Sequence, residues 1–514
     1  MEIEHFFTTL TIVKPNPTVN WLAKSAVERA IMTNTEPNAM IELHEKIEVP
    51  RPVHEAFAYV ADFRSTTEWD ATASAASKLT AGAVDVGTRF DVKCELPVGA
   101  VTLRYTITRL VPNQTIELHG TCALFEVDDV IHFSEIQDGT HIDYRANFTF
   151  HKAIGSAEKL ARSGMERMGK ASLLGLKSAL EDNFPAPEIS TGNRRADSLV
   201  VPGLALFTKA GFRRGRRRWQ PMSAWMGDKH VVITGANSGL GLSAAYRLAE
   251  LGAELTLVIR NEARAASLID ELRRETGNSR IHVEVADLSL MSEVDRLVQR
   301  MIRSDKAIDV LINNAGALFN PRALTAEGLE QSFALLLLSP VRLTLGLKPL
   351  LARAGAARVI NVVSGGMYSQ KLNVDELICP EQGYSGSVAY AKAKRALMVT
   401  TEQWAQEWAD DNIVVNAMHP GWANTPGVEN ALPGFHKLTR LVLRSPAEGA
   451  DTINWLAVAT EAGKISGRLF LDREPRTTHL MSSTVEDRAE REKLRQFLAD
   501  FTLEHAQEIP RKAS

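Results

Sequence analysis

Cysteine is scarce in this chain of 514 residues: Cys94, Cys122 and Cys379 are all there is, and they stand far apart. Three scattered thiols cannot frame a disulfide scaffold and lack the paired spacing of a metal site, so a reducing, cytoplasmic setting is expected and no metal is assigned. Long apolar runs are missing too. No stretch of eighteen apolar residues occurs, so no membrane span is expected and membrane contact is at most peripheral. Excess charge is missing: 59 Lys and Arg against 62 Asp and Glu leave −3, which argues against nucleic acid as a partner. Glu2 and Glu4 stand where a secretory leader needs basic residues, so no leader is expected. What remains is 45% hydrophobic and 24% charged, the balance of a soluble globular protein, and long enough for two or three domains.

One glycine-rich stretch stands out: Thr234-Gly235-Ala236-Asn237-Ser238-Gly239-Leu240-Gly241. The apolar run Val231 to Ile233 precedes it, and Leu242, Ala245, Leu248 and Ala249 come after it with helical spacing. Strand, glycine turn and helix suit a dinucleotide. Gly235 permits the sharp turn, Gly239 lets backbone approach a pyrophosphate, and Gly241 lets the helix pack close to the strand. The phosphates would sit at the helix N-terminus, where Asn237, Ser238 and Leu240 complete the turn. Glycine turns are common, so the weight of this one depends on the motifs downstream of it in the chain.

Residues 1–40 show no clear period and carry Pro15, Pro17 and Pro37; a poorly ordered tail is expected, with Met40 a candidate start. From Ile41 the pattern alternates through Leu43, Glu45, Ile47 and Val49, and a short helix is expected over Glu55 to Phe63. Strands are expected over Arg89–Leu96, Thr102–Leu110, Thr115–Cys122, Phe125–Ile136 and His141–Phe150, with turns at Pro-Val-Gly (97–99), Pro-Asn (112–113) and Asp-Gly (138–139). A long amphipathic helix should close the segment, from about Ser156 to Glu181. His119, His132 and His141 lack metal-ligand spacing and read as strand-surface or core residues. This element order, with the opening EKIEVPRPVHEAFAYVADFRSTTEWD, resembles the polyketide cyclase/START-like superfamily over residues 41–183. The resemblance implies an α+β helix-grip fold and a cavity for a lipid or aromatic ligand; the competing reading is that the apolar faces simply fill each other.

Residues 184–226 read as a connector. Pro185, Pro187, Gly192 and the polar run to Ser198 suggest flexibility; Leu199–Phe212 is apolar, and Arg213, Arg214, Arg216, Arg217 and Arg218 lead to Trp219 and Trp225. A membrane-surface patch is one reading. The preferred one is a solvated linker whose apolar side packs on the next domain.

From residue 227 to 514 strands alternate with helices, as in a doubly wound parallel sheet that binds ligands at the strand C-termini. The second strand, Leu255–Ile259, ends at Arg260, which can pair with a 2′-phosphate; NADP(H) is therefore favoured over NAD. The third, Ile281–Val285, is followed by Asp287 and Leu288, placed to reach adenine. The fourth, Val310–Ile312, runs into Asn313-Asn314-Ala315-Gly316. The fifth, Val359–Val363, ends at Ser364, and Tyr390 and Lys394 then stand four apart on one helix face. Together these residues resemble the short-chain dehydrogenase/reductase family over 228–480, a Rossmann-type α/β fold. Four longer runs strengthen the match: SGGMYSQKLN (364–373), MHPGWANTPGVENALPGFH (418–436), SPAEGADTINWLA (445–457) and SGRLFLDREPRTTHL (466–480).

The resemblance implies Ser364, Tyr390 and Lys394 as the catalytic set. Lys394 would lower the phenol pKa of Tyr390 and hold the nicotinamide ribose, Tyr390 would exchange a proton with the substrate oxygen, and Ser364 would orient that oxygen. Asn314, Ala315 and Gly316 would line the cofactor, and Pro420, Gly421, Trp422 and Thr425 its nicotinamide end. One departure stands in Phe333-Ala334-Leu335-Leu336-Leu337-Leu338-Ser339: Leu336 occupies the place of an asparagine that in the family helps relay protons to the lysine. The overall expectation is an NADP-dependent oxidoreductase for a small apolar carbonyl or alcohol, fused behind a ligand-binding domain. The alternatives are a lipid-binding module joined to a catalytically weak reductase, and a membrane-surface scaffold. Homo-oligomerisation stays open.

Overall fold

A computed structural model describes residues 40–96, 99–151, 158–199, 205–223, 225–424, 439 and 442–507. The expected tail at 1–40 lies outside them but for Met40, as do 97–98 of the Pro-Val-Gly turn. The chain divides into two compact units, one holding the described residues to Thr80 with Val84–Glu181, the other Ala81–Ala83 and everything from Asp182.

The first unit is an antiparallel sheet of seven strands: β1 (Met40–Val49), β2 (Ala73–Lys78), β3 (Arg89–Leu96), β4 (Gly99–Val111), β5 (Thr115–Thr121), β6 (Phe125–Ile136) and β7 (Gly139–Phe150), in the order β1-β7-β6-β5-β4-β3-β2. Alternation of apolar and polar residues sets each strand's inner face, as in β6, where Phe125, Val127, Ile131 and Phe133 are buried. The helices α1 (Val53–Ala61) and α2 (Glu158–Glu181) belong to this unit, and α2 buries Leu173, Leu176, Ala179 and Leu180 in its core. At Gly175 the α2 backbone lies against the Trp69 carbonyl, where any Cβ would overlap that oxygen. β2 is an addition to the expected strands. Its sequence, Ala73-Ser74-Ala75-Ala76-Ser77-Lys78, has little strand propensity, and its pairing with β3 holds it as an irregular edge. His119 and His141 lie beside the acids Asp128 and Glu48, and His132 beside Thr115, as strand-surface residues do.

The second unit is an eight-stranded sheet of β8 (His230–Thr234), β9 (Glu254–Ile259), β10 (Ile281–Val285), β11 (Val310–Asn313), β12 (Ala357–Val362), β13 (Ile413–Met418), β14 (Leu469–Leu471) and β15 (Glu474–Arg476). Its order is β10-β9-β8-β11-β12-β13-β14-β15, parallel except for β15. The order reverses between β8 and β11, which makes that boundary the switch point where such sheets bind ligands. Helices interleave: α3 (Lys209–Arg216), α4 (Gly239–Glu250), α5 (Glu262–Thr276), α6 (Met291–Ser304), α7 (Gln331–Arg353), α8 (Gly386–Glu407), α9 (Pro446–Val458) and α10 (Arg488–Gln507). Among the described residues one helix, α7, is long and apolar enough to cross a membrane; 72% of its apolar window is buried inside the domain, as a core helix requires.

The expectation of a flexible connector over 184–226 needs correction. Ser190 caps a helix over Thr191–Ser198, and Asp197 pairs with Arg476 with both side chains buried. The Phe207 carbonyl accepts from Arg444 Nε at 3.0 Å and from the Trp422 amide at 2.8 Å. Trp219 donates to the Asp472 carbonyl at 2.9 Å and lies under Arg473. Buried ion pairs and backbone acceptors fix this segment on the second unit; its apolar side packs there as expected, and it is the flexibility that is corrected. Arg213, Arg214, Arg216, Arg217 and Arg218 remain exposed, but Trp219 is spent on packing.

Candidate active site

Because β8 to β13 run parallel, their C-terminal ends share one edge of the sheet, and every described site residue lies at or just beyond that edge or on α8. The glycine turn joins β8 to α4. Gly235 and Gly239 take φ of 67° and 56°, which favours glycine. A Cβ on Gly241 would overlap the Gly235 carbonyl, and one on Gly235 would stand 2.9 Å from Ala315 Cα. The turn therefore exists only with these glycines. Ser238 occupies the N-cap of α4 in extended conformation and its side chain makes no capping bond, so the first N–H groups of α4 point outward. That cradle of glycines at a positive helix end fits a pyrophosphate.

Asn314 ties the switch point together. Its Nδ2 donates to the Thr234 carbonyl at 2.8 Å and the Gly235 carbonyl at 3.2 Å, while Thr234 Oγ1 accepts from the Asn314 and Ala315 amides at 3.0 Å each. Behind it Asn313 and Asn361 form a buried chain with Thr344 and Thr401. Arg260, directly after β9, is exposed and makes no ion pair among the described residues. Asp287 braces its own loop by accepting from the Ser289 amide and hydroxyl at 2.9 and 2.7 Å, with Leu288 buried beside it.

The Ser364 hydroxyl stands beside Tyr390, near enough to stabilise its phenolate. Lys394, one turn further along α8, is 2% exposed; its Nζ donates to the Val362 carbonyl at 2.7 Å and lies 6.0 Å from the Tyr390 ring centroid. Burial pushes the lysine down to about 7. Burial also raises the Tyr390 phenol above its usual value, an effect the neighbouring Ser364 hydroxyl partly offsets. The expected lowering of Tyr390 by Lys394 is thus not what dominates here: two buried groups are both driven toward their neutral forms. A protonated phenol beside a serine is arranged to donate to a substrate oxygen.

Pro420, Gly421 and Trp422 follow β13. A methyl on Gly449 of α9 would stand 2.6 Å from Leu240, 3.0 Å from Ala423 and 3.5 Å from Pro420, so the glycine turn and this loop meet over α9. Thr425 lies outside the described residues.

Two features escaped the sequence reading. Phe207, from the supposed connector, packs against Tyr368, His419 and Trp422, with ring centroids 4.5 Å apart for His419. A Cβ on Gly365, next to Ser364, would stand 2.6 Å from the Phe207 ring. The other is a π-turn over Ala334–Leu338 within α7, closed by the Ser339 amide on the Ala334 carbonyl. Pro340 explains it: proline cannot donate to the Leu336 carbonyl and its ring would crowd that oxygen, so the helix widens. Leu336 is fully buried. Its Cδ2 lies 3.1 Å from the point a Gly316 Cβ would occupy, and that point is 3.9 Å from Lys394 Nζ. Leu336 and Lys394 thus both border the Gly316 backbone.

Comparison with known proteins agrees. A short chain dehydrogenase profile matches residues 229–434, and a "polyketide cyclase / dehydrase and lipid transport" profile matches residues 40–181. Human dehydrogenase/reductase SDR family member 12 is 41% identical over 300 residues, spanning 58% of this chain and 94% of that protein. The chain belongs to the short-chain dehydrogenase/reductase family. Human retinol dehydrogenase 14 is 34% identical over 267 residues (48% of this chain, 79% of that one), and human polyprenol dehydrogenase 29% over 299 (56% and 90%). As a short-chain dehydrogenase/reductase, the chain is an alcohol/carbonyl oxidoreductase, and its first unit is of the helix-grip type.

Proposed function

We propose that the protein interconverts an apolar carbonyl compound and its alcohol with NADP(H), and that the N-terminal unit binds an apolar ligand. The observation that carries the catalytic reading is Ser364 beside Tyr390 with Lys394 buried one turn away, at the strand edge that also holds the glycine turn. NADP(H), when bound, supplies or accepts the hydride. Asn237, Ser238, Gly239, Leu240 and Gly241 would hold its pyrophosphate, Asp287 and Leu288 its adenine, and Asn314, Ala315 and Gly316 the path to the nicotinamide. Pro420, Gly421, Trp422 and Thr425 would close on the nicotinamide end.

Tyr390 gives its proton to the substrate oxygen as that oxygen gains charge, and Ser364 holds the oxygen in line. Lys394 restores the proton. With a pKa of about 7 it can both carry and release one near neutrality. Arg260 is the reason for preferring NADP(H): an exposed guanidinium at the end of β9 that makes no ion pair among the described residues can take a 2′-phosphate. Related enzymes named for retinol and polyprenol favour an apolar substrate.

The test is NADPH and NADH consumption against a panel of apolar ketones and aldehydes. Turnover with NADPH several-fold or more above NADH is expected. Tight NADPH binding with no turnover across the panel would instead favour the reading of a ligand-binding protein with a weak reductase domain.

A further inference from the structure

The inward row of β6 reads Phe125, Val127, Asp129, Ile131 and Phe133, all buried, and one of the five is an acid. Asp129 is 2% exposed, and its Oδ2 has no hydrogen-bond partner among the described residues. The nearby Asp70 is quite different. Its Oδ1 accepts from the Thr72 amide, the Thr72 hydroxyl and Ser172 of α2, at 2.8–2.9 Å, so it has a complete structural role.

Two phenols approach Asp129, Tyr144 from the adjacent strand β7 and Tyr105 from β4. Tyr105 can do so only because β5 carries glycine between them: a methyl on Gly120 would stand 2.6 Å from the Tyr105 ring and 2.8 Å from Val127. Both tyrosines keep part of their surface accessible although they sit against the core, so they border space that a small group can enter. The walls are apolar and aromatic, with Phe57, Phe63, Phe90 and Phe133 in the same core. Burial pushes the Asp129 carboxyl up to about 8, with the Tyr144 and Tyr105 hydroxyls opposing, so at neutral pH it is an O–H donor. A buried carboxyl oxygen left without a hydrogen-bond partner is costly to keep, which points to a use.

We propose that Asp129, Tyr105 and Tyr144 form the polar end of a ligand site inside the N-terminal unit, donating hydrogen bonds to the carbonyl oxygen of an otherwise apolar molecule. This rests on reading the unit as a ligand-binding domain. It adds the ligand class, an apolar ketone or aldehyde, which is also what the reductase unit would consume.

The experiment uses the full chain without added dinucleotide and two probes of the same shape, acetylnaphthalene and ethylnaphthalene, which differ in the carbonyl oxygen. The expected result is that acetylnaphthalene binds about tenfold or more tightly than ethylnaphthalene. Asp129→Leu and the Tyr105→Phe/Tyr144→Phe pair should each remove that preference. Infrared difference spectra should show the C=O band of a protonated carboxyl shifting when the ketone binds, and Asp129→Asn should abolish the band. If both probes bind equally and the carboxyl band stays still, this recognition is wrong while the ligand-domain reading survives. If neither probe binds wild type, and no band moves, both readings fall. Should Asp129→Leu not fold, the wild-type band shift and its loss in Asp129→Asn still decide.

Discussion

In the antiparallel unit burial weakens an acid, Asp129, to about 8; in the parallel unit burial weakens a base, Lys394, to about 7. The cause is the same, because a low-dielectric interior disfavours whichever form is charged. The settings differ. Lys394 stands beside a strand edge where the parallel topology collects Ser364, Tyr390 and the glycine turn. Asp129 stands in the middle of a sheet face, with only the partners that its own and neighbouring strands supply. A site at a strand edge leaves a trail of motifs along the chain, whereas a site within a sheet face leaves one odd residue in an alternating row.

The largest expected effect lies at the edge site. Tyr390→Phe removes the proton donor and leaves the glycine turn intact. Turnover should fall on the order of 10²–10⁴-fold while NADPH affinity changes little. Stopped-flow turnover with equilibrium binding on the same sample checks this, and a variant retaining wild-type rates would remove Tyr390 from the chemistry. The equivalent change in the other unit, Tyr144→Phe, should leave that turnover untouched.

The same contrast explains what could be read in advance. Strand β3 matches the expected bounds because its alternation is uninterrupted, and β6 matches although Asp129 breaks its inward row; the candidate site residues of the parallel unit outside α8 fall at strand ends because each motif follows an apolar run. β2 escaped because Ala and Ser carry no alternation. That the apolar stretch around Phe207 packs on the next domain was expected, but its particular contacts could not be read because its fixing partners, Arg444, Asp472 and Arg476, lie more than two hundred residues away in sequence. Asp129 could have been found: it is the single acid in the inward row of β6. Pro340 could have announced the π-turn, since a proline four residues after Leu336 leaves that carbonyl without its donor.

The next effect tests the opposite signs directly. Between about pH 4 and 8 native Asp129 holds a proton that the unfolded chain has lost, so its contribution to stability declines as pH rises through that window. Between about 7 and 10.5 native Lys394 has lost a proton that the unfolded chain keeps, so its contribution improves with rising pH. Hydrogen exchange read separately on β6 and α8 should show these opposing trends. Asp129→Asn should flatten the first and stabilise the N-terminal unit at pH 8 by a few kcal/mol, roughly 1.4 per pKa unit at most. An unchanged slope in that variant would mean that Asp129 is not the group responsible.

Arg260 comes next, an exposed cation beside the buried machinery. A charge-assisted pair with a 2′-phosphate contributes about 1.5–3 kcal/mol, so Arg260→Ala should weaken NADPH by roughly ten- to a hundredfold and leave NADH nearly unchanged. Equal losses for both cofactors would assign the preference elsewhere.

The smallest effect concerns Leu336, where the two units can be made more alike. Asp129 has phenols beside it; Lys394 is held near 7 by burial, and Leu336 borders the same Gly316 backbone that the lysine does. Leu336→Asn places an amide there instead. Because Pro340 sets the π-turn, the backbone should keep its shape, and the amide can bind water or the lysine. The substitution should cost about 1–3 kcal/mol of stability where the amide is incompletely satisfied. In return the Lys394 pKa should rise toward 10.5, the pH profile of turnover should move up with it, and turnover should increase several-fold, about 1 kcal/mol of barrier. The solvent isotope effect should shrink as proton delivery ceases to limit. A folded Leu336→Asn protein with unchanged rate, pH profile and isotope effect would mean that the lysine already exchanges protons freely, and that leucine at this position costs the enzyme nothing.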